Sequence, residues 1–160
     1  MRKIILTGVA ILTLGLTSFA QECKSVKVEV DSYTGKRTIE TDYIDFNGGT
    51  YLLSRESFGI SLWIQLQSEI ILTVQKGDFV YFKLSDNSVV KFYIQKSDIS
   101  DYSRHSGYSN SFGFILEKEV LQSLMSKEII GIKCSVNEYD LTKEQGTDLK
   151  NNINCIVNTK

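Results

Sequence analysis

The chain of 160 residues contains no proline and one histidine, and both shortages restrict what it can be. Without proline, Pro-rich linkers and collagen-like repeats are excluded. The single histidine, His105, excludes metal centres that need several histidine ligands. The sequence also lacks a phosphate-binding loop, a dinucleotide-binding glycine pattern and a serine-nucleophile elbow. We therefore expect no cofactor and no metal.

The N-terminus carries the pattern of a secretory signal peptide. A basic start at residues 1–3 precedes an apolar run of 17 residues at 4–20, which ends in small residues and is short for a membrane span of about 20 residues. We predict cleavage after Ala20, so that residues 1–20 are the signal peptide and residues 21–160 form one exported domain, periplasmic or secreted.

Charge and hydropathy restrict the partners of the exported part. Loss of the two basic residues of the leader leaves 16 basic against 19 acidic side chains, a net charge of −3. A protein without a basic surface is a poor partner for nucleic acid. No apolar run after residue 20 is long enough to span a membrane, so we also expect no membrane span after signal removal.

Most of the remaining chain alternates apolar and polar residues with a period of two, which predicts β-strands. The apolar phase shifts between Ile39 and Ile44, which predicts a bulge or a twist. The glycine-rich triplet at 47–49 predicts a turn, and the Ser/Tyr/Gly-rich stretch at 97–113 predicts mostly loop. The predicted strands before residue 75 are 26–30, 37–46, 50–54, 58–67 and 70–74.

Residues 79–94 predict a hairpin, and the side-chain pattern also predicts its register. A two-residue loop would place apolar residues opposite polar ones and mix the two faces. A three-residue loop at 85–87 instead sets Phe82 opposite Val90, and facing residues of an antiparallel pair lie on the same side of the sheet. Asn87 would then adopt the left-handed conformation that asparagine tolerates.

Two helices are predicted late in the chain. Apolar residues recur at helical spacing over 117–127 and again over 142–157, where Asp140 or Thr142 would cap the second helix. A strand at 130–136 separates them. The expected fold class is therefore α+β: a single domain dominated by an antiparallel sheet, with two helices late in the chain.

Three cysteines follow the leader, and their positions favour one pairing. Cys134 alternates with apolar residues and is expected to be a buried free thiol. Cys155 lies off the apolar stripe of its helix. Cys134 ends a strand close to where this helix begins, and Cys155 comes about 20 Å further along the helix, whereas a disulfide spans about 6 Å between Cα atoms. Cys23 lies near the start of the exported chain and can reach Cys155. We therefore predict a Cys23–Cys155 disulfide; another pairing, or no bridge, is the alternative.

Aromatic residues form the candidate binding site. In the register above, Phe79, Tyr81 and Tyr93 share the face opposite the apolar face of the hairpin, and Trp63 lies on the otherwise polar face of its own strand. Together they could form an exposed platform for a sugar or for an apolar protein surface. The alternative is that one of the late helices covers this face.

No catalytic constellation stands out, so the sequence favours an exported, non-enzymatic binding or structural module with an unknown protein or glycan ligand. The alternative is a small exported hydrolase that uses acidic residues or His105, although neighbouring serines and Asp101 in a loop do not by themselves make a triad. A lipid-carrying barrel is a third possibility and would require closure of the sheet around a cavity.

Overall fold

The computed structural model describes Cys23 and residues 25–104 and 107–159. The predicted signal peptide at 1–20 and His105 therefore lie outside the described residues. The described part of the chain forms thirteen strands and two helices. In chain order these are β1 (Val26–Val30), β2 (Arg37–Thr41), β3 (Ile44–Phe46), β4 (Gly49–Glu56), β5 (Gly59–Ser68), β6 (Thr73–Val74), β7 (Phe79–Leu84), β8 (Val89–Tyr93), β9 (Asp98–Ile99), β10 (Asp101–Ser103), β11 (Gly107–Ile115), α1 (Lys118–Ser126), β12 (Ile129–Cys134), β13 (Asn137–Asp140) and α2 (Lys143–Asn158).

The strands form two main sheets, in which the paired strands are antiparallel. The larger sheet has the order β1-β2-β4-β5-β11-β10, with β3 paired to β4, and the smaller sheet has the order β13-β12-β7-β8. Strands β6 and β9 form a short separate ribbon. The α+β class, with its antiparallel sheets and two late helices in a single domain, is confirmed.

One hydrophobic core lies between the two sheets and α2. The sheets meet through aromatic rings: the Phe92 and Phe114 centroids are 4.8 Å apart, and Phe82 packs at the same distance against Phe92. Leu62 and Ile64 from the inner face of β5 are fully buried, which stabilises the fold by roughly 1.5–3 kcal/mol for each side chain. The inner face of the larger sheet is thus covered partly by the smaller sheet and partly by α2.

Helix α2 begins at a complete capping box. The Thr142 hydroxyl accepts a hydrogen bond from the Gln145 backbone N–H at 3.2 Å, and the Gln145 side chain accepts one from the Thr142 N–H at 3.0 Å. These bonds satisfy two groups that a helix start leaves unpaired, so the helix begins where the predicted cap residue Thr142 lies.

The other end of α2 is fixed on the larger sheet. Arg55 of β4 donates to the carbonyl oxygens of Ile156 and Val157 at 2.9 and 2.7 Å. A guanidinium at this position satisfies terminal carbonyls and complements the negative end of the helix dipole. Asn152 also donates to the Tyr51 hydroxyl at 2.9 Å, so polar contacts hold the helix on the inner face of this sheet.

The predicted strand at 37–46 is divided into β2 and β3 by the predicted bulge. Glu40 pairs with Ser54 of β4, and Ile44 pairs with Tyr51. Residues 41–43 lie between the first two partners, whereas β4 has only residues 52 and 53 between the other two, so the chain has one extra residue here. Thr41 lies at this point with 2% of its surface exposed, and its hydroxyl accepts a hydrogen bond from the Leu53 backbone N–H at 3.0 Å. A side chain therefore accepts the hydrogen bond at a buried position where the regular ladder is broken.

The register predicted for the β7–β8 hairpin is confirmed. Phe82 pairs with Val90, and the neighbouring pairs follow the same register. Asn87 has a φ of 65°, and its N–H donates to the Leu84 carbonyl at 2.8 Å. The three-residue loop at 85–87 therefore sets which side chains of this hairpin face the core.

The prediction of loop over 97–113 is wrong for most of its length. Strand β11 pairs with β5 along eight residue pairs and forms part of the larger sheet. Asn110 and Phe112 lie on its inward face, and Ser111 and Gly113 lie on its outward face. The small and polar residues on the outer face hide the strand pattern, because they resemble turn residues when they are considered without a partner strand.

The edge strand β13 is fixed against the larger sheet. The Tyr139 hydroxyl donates to the Gln67 carbonyl at 2.6 Å, and the Asn137 amide donates to the Ser68 hydroxyl at 2.9 Å. The Tyr139 ring packs over Gly48, which has a φ of +97° and where any side chain would overlap the ring. These contacts give the smaller sheet a defined edge.

Candidate binding face of the smaller sheet

Three of the four predicted binding residues share the outer face of the smaller sheet. Phe79 lies directly opposite Tyr93, with ring centroids 5.7 Å apart, and Tyr81 follows on the same strand with its ring 5.9 Å from that of Phe79. Because their neighbours Val80 and Phe82 point into the core, period-two alternation directs these three rings outward. Phe79 and Tyr93 are 36% and 48% exposed, and Tyr81 is half-buried.

Helix α2 packs on the inner side of the sheets, away from the face that carries these rings. Its buried residues Leu149, Ile153 and Ile156 belong to the core between the sheets, and its main strand contacts are with β1, β2, β4 and β12. Helix α1 packs against α2. The aromatic row of the smaller sheet is therefore open at the surface within the described part of the chain.

Trp63 lies elsewhere. It is on β5, between Leu52 of β4 and Gly113 of β11, and points away from the core on the outer face of the larger sheet. Its ring packs edge-on against the exposed Tyr43, with centroids 5.6 Å apart. The structure thus separates Trp63 from Phe79 and its neighbours by the full thickness of the two-sheet core.

Tyr81 also has charged neighbours on this face, which the sequence pattern does not mark as part of a binding site. The two strands that flank β7 place Lys133 and Lys91 directly opposite Tyr81, one on each side. The Lys91 ammonium lies 5.8 Å from the centre of the Tyr81 ring, close enough for a cation–π contact. The hairpin register already predicts that Lys91 faces Tyr81, whereas Lys133 requires knowledge that β12 pairs with β7.

A groove of about 470 Å³ runs across this face beside Tyr81. Its walls come from β7, β12 and β13 and from Val89 at the start of β8, and Gly131 is among the residues that line it. The volume is within the range of sites that hold small ligands, about 300–1,000 Å³. The residues that line it include Tyr81, Lys83, Gly131, Lys133, Glu138 and Asp140.

The electrostatics of the groove oppose acid catalysis by Glu138. This carboxylate forms an ion pair with Lys133, and the hydrogen bond and charge of Lys133, with a smaller contribution from Lys83, lower the pKa of Glu138. A general acid in a glycosidase needs a raised pKa so that it carries a proton near neutral pH. Glu138 is therefore held in its ionised form, as an acceptor of hydrogen bonds.

The predicted disulfide is present: Cys23 and Cys155 are bonded, with their Cα atoms 5.7 Å apart. Cys155 is buried, although it lies off the apolar stripe of α2, and its sulfur is bonded to that of Cys23. Cys134 is the buried free thiol that the alternation predicts, and burial raises its pKa to about 11.

Across residues 25–104 and 107–159, no three metal-ligating side chains form a cluster that could hold an ion. In the same part of the chain, neither helix has the length and apolar character that crossing a membrane requires.

The fold and this face define a two-sheet α+β protein with an open aromatic surface bordered by lysines. The chain matches no protein-family model, and no significant match exists among curated proteins or among solved structures.

Proposed function

We propose that the chain is an exported, non-enzymatic binding module that takes its ligand on the outer face of the smaller sheet. The observation that carries this proposal is the open row of rings of Phe79, Tyr81 and Tyr93 on a four-stranded sheet. Aromatic side chains at a surface provide large apolar area at little entropic cost when a partner covers them.

Two features support the exported part of the proposal. Residues 1–20 have the charge and hydropathy pattern of a cleavable leader. The Cys23–Cys155 disulfide is of a kind that forms and persists in oxidising compartments such as the periplasm or the extracellular space. We propose a periplasmic or secreted location on these grounds.

The alternative function is a small exported hydrolase. Its support is that two carboxylates, Glu138 and Asp140, line the same groove. We favour binding because Lys133 neutralises Glu138 and lowers its pKa, so that Glu138 is a poor proton donor.

The proposal is tested by comparing what the protein retains from a native envelope extract when its surface aromatics are removed. We expect residues 21–160, immobilised, to retain a defined set of molecules, and Tyr81→Ala to lose it. Tyr33→Ala is the matched control, because Tyr33 is 97% exposed in the turn between β1 and β2. Equal retention by Tyr81→Ala and the unchanged protein, or no specific retention by either, would contradict the proposal.

Stability measurements separate loss of a binding surface from loss of the fold. Tyr81 and its neighbour Phe82 point to opposite sides of β7, and Phe82 is fully buried. We expect Phe82→Ala to lower the free energy of unfolding by about 3–5 kcal/mol, as aromatic truncations in cores do. Tyr81→Ala should cost much less in the same urea titration; a loss as large as that of Phe82→Ala would assign Tyr81 to the core.

A further inference from the structure

Strand β1 is an open edge of the larger sheet. Within the described part of the chain it pairs with β2 alone, along five residue pairs without a bulge. Edge strands that stay unpaired commonly carry a proline, a bulge or a charged side chain that points inward. The inward residues of β1 are instead three valines, since Val28 lies opposite the buried Ile39. Val28 and Val30 are 45% and 62% exposed, so the inner side of this edge is apolar and open.

The hydrogen bonds of β1 show which of its backbone groups face the open side. At one end of the β1–β2 ladder, the Asp42 N–H donates to the Ser25 carbonyl at 3.1 Å. Bonded and non-bonded pairs alternate along an antiparallel ladder, so the odd-numbered residues of β1 bond to β2. The N–H and C=O groups of the three valines therefore point away from β2. Of these groups, the Val26 N–H is bonded to the Cys23 carbonyl at 3.3 Å.

The sequence of β1 is complementary to itself when two copies run antiparallel. A two-fold axis at Val28 sets valine opposite valine, and it sets Lys27 of each copy opposite Glu29 of the other. The valines then form the hydrogen-bonded pairs, and the charged residues form the non-bonded pairs, in which side chains approach most closely.

The neighbouring registers are less favourable. An axis at Lys27 or at Glu29 would set two lysines or two glutamates opposite each other, and like charges in that position are destabilising. An axis between two residues would oppose a residue that bonds outward to one that bonds to β2, so no regular ladder forms. The backbone phase and the charges of β1 thus select the same register, the one centred on Val28.

The charges on β1 are also unevenly satisfied within one copy. Lys27 forms an exposed ion pair with Asp42, whereas Glu29 forms no ion pair within the described part of the chain. In the register centred on Val28, Lys27 of a second copy lies directly opposite Glu29. A second copy therefore supplies the cation that Glu29 lacks.

Strand β8, an open edge of the smaller sheet, does not have this complementarity. Its central residue is Lys91. A two-fold pairing of its five residues would set the two Lys91 ammonium groups opposite each other, which is unfavourable. A lysine on an edge strand is a common protection against such pairing, and β1 has no like-charged centre.

We propose that two copies of this chain form a symmetric dimer in which β1 pairs with β1, antiparallel and centred on Val28. The larger sheet then continues from one copy into the other, with valines on its inner face and Lys27–Glu29 pairs on its outer face. Two strands of five residues make a small interface, so we expect a dimer that dissociates at micromolar concentrations. This proposal does not depend on the proposed binding function.

Sedimentation velocity of residues 21–160, from about 1 to 500 µM, measures the dimer directly. We expect the unchanged protein to shift from monomer to dimer over this range. Val28→Lys places two ammonium groups at the two-fold axis and should weaken the dimer by roughly tenfold or more. Val89→Lys is the matched control, because Val89 lies on the edge strand β8 and is 49% exposed; it should leave the dimer unchanged.

A charge exchange between two variants tests the register. Lys27→Glu leaves two acids on the outer face of the edge, and Glu29→Lys leaves two bases, so neither variant should pair with itself. Mixed in equal amounts, the two should form a dimer, because each acid then lies opposite a base. Both positions are exposed, and surface ion pairs contribute little to stability, so we expect each variant to remain folded in a urea titration.

Several results would overturn the proposal. Sedimentation as a monomer at every concentration would do so, as would a dimer that Val28→Lys leaves unchanged. A dimer that Val89→Lys weakens as much as Val28→Lys does would exclude a specific β1 interface. A mixture of the charge variants that stays monomeric, while the unchanged protein dimerises, would contradict the register centred on Val28. Retention of ligands through Tyr81 is measured with separate variants and is not affected by these outcomes.

Discussion

Burial determines the chemistry of Cys134, the thiol left outside the disulfide. It has 1% of its surface exposed on the inner face of β12, and burial, with a smaller effect of the Asp78 charge, raises its pKa to about 11 from an ordinary value near 9. A thiol reacts through its thiolate, so the native protein should resist alkylation at pH 8. Its environment is that of a structural side chain.

The raised pKa also makes the stability of the protein depend on pH. Between pH 9 and 11 the folded protein keeps the Cys134 proton while the unfolded chain releases it, so stability falls as the pH rises through this range. We expect the free energy of unfolding in urea to fall more steeply over this range than in a Cys134→Ala variant. Parallel curves for the two proteins would show that Cys134 does not contribute to the alkaline loss.

At the scale of elements, the bulge between β2 and β3 depends on one hydroxyl group. The buried Thr41 accepts a hydrogen bond from the Leu53 N–H at 3.0 Å, and Thr41→Val keeps the shape while removing the acceptor. An unsatisfied buried donor costs about 1–3 kcal/mol, so we expect this loss in urea or thermal unfolding. Thr38→Val, on the same strand but less deeply buried, is the control and should change stability by less than about 0.5 kcal/mol.

Elements whose partners are close in sequence were predictable. The β7–β8 register follows from apolar residues on two adjacent strands and from the loop length, and the bulge follows from a phase shift within one segment. Helix α2 follows from its cap and its apolar stripe. In each case the information lies within about 20 residues of chain.

Elements that depend on distant partners were not predictable in the same way. Strand β11 is recognisable through its long pairing with β5, because its own outer face is made mostly of small and polar residues. The predicted strand at 130–136 ends at Cys134, since Ser135 adopts a φ of 53° in the turn to β13, although the apolar alternation continues to Val136. Local alternation does not show where a strand must turn back.

The candidate site also has features that depend on nearby residues and features that depend on distant strands. The sequence pattern correctly groups Phe79, Tyr81 and Tyr93, because their two strands form one hairpin. It cannot tell that Trp63 belongs to the opposite layer, since a strand pattern shows two faces without showing which sheet lies against them. The groove over Gly131 requires the pairing of β12 with β7, and no local signal indicates that pairing.

At the scale of the whole molecule, the disulfide joins the segment before β1 to the last helix. Cys23 and Cys155 are 132 positions apart in sequence, and closing a loop of this length can stabilise the fold by up to about 5 kcal/mol in the chain-entropy treatment. We expect the double variant Cys23→Ser, Cys155→Ser to unfold at a lower urea concentration. Cys134→Ala, which leaves the bridge intact, is the control at pH 7.

Peptide mapping without reductant checks the bridge itself. It should recover one linked pair of peptides, containing Cys23 and Cys155, and a free Cys134 peptide. Three free thiols, a pair that includes Cys134, or an unchanged unfolding midpoint in the double variant would contradict this account of the stability.

The bridge also makes residues 23–155 a closed covalent ring, and this has a mechanical consequence. If the chain is pulled from points on either side of the ring, the tension passes through the sulfur–sulfur bond, and both sheets and nearly all of α2 lie inside the loop that carries no load. The binding face would then keep its shape while the protein holds a ligand under strain. Likewise, a protease that cuts one peptide bond within the ring leaves the two fragments joined.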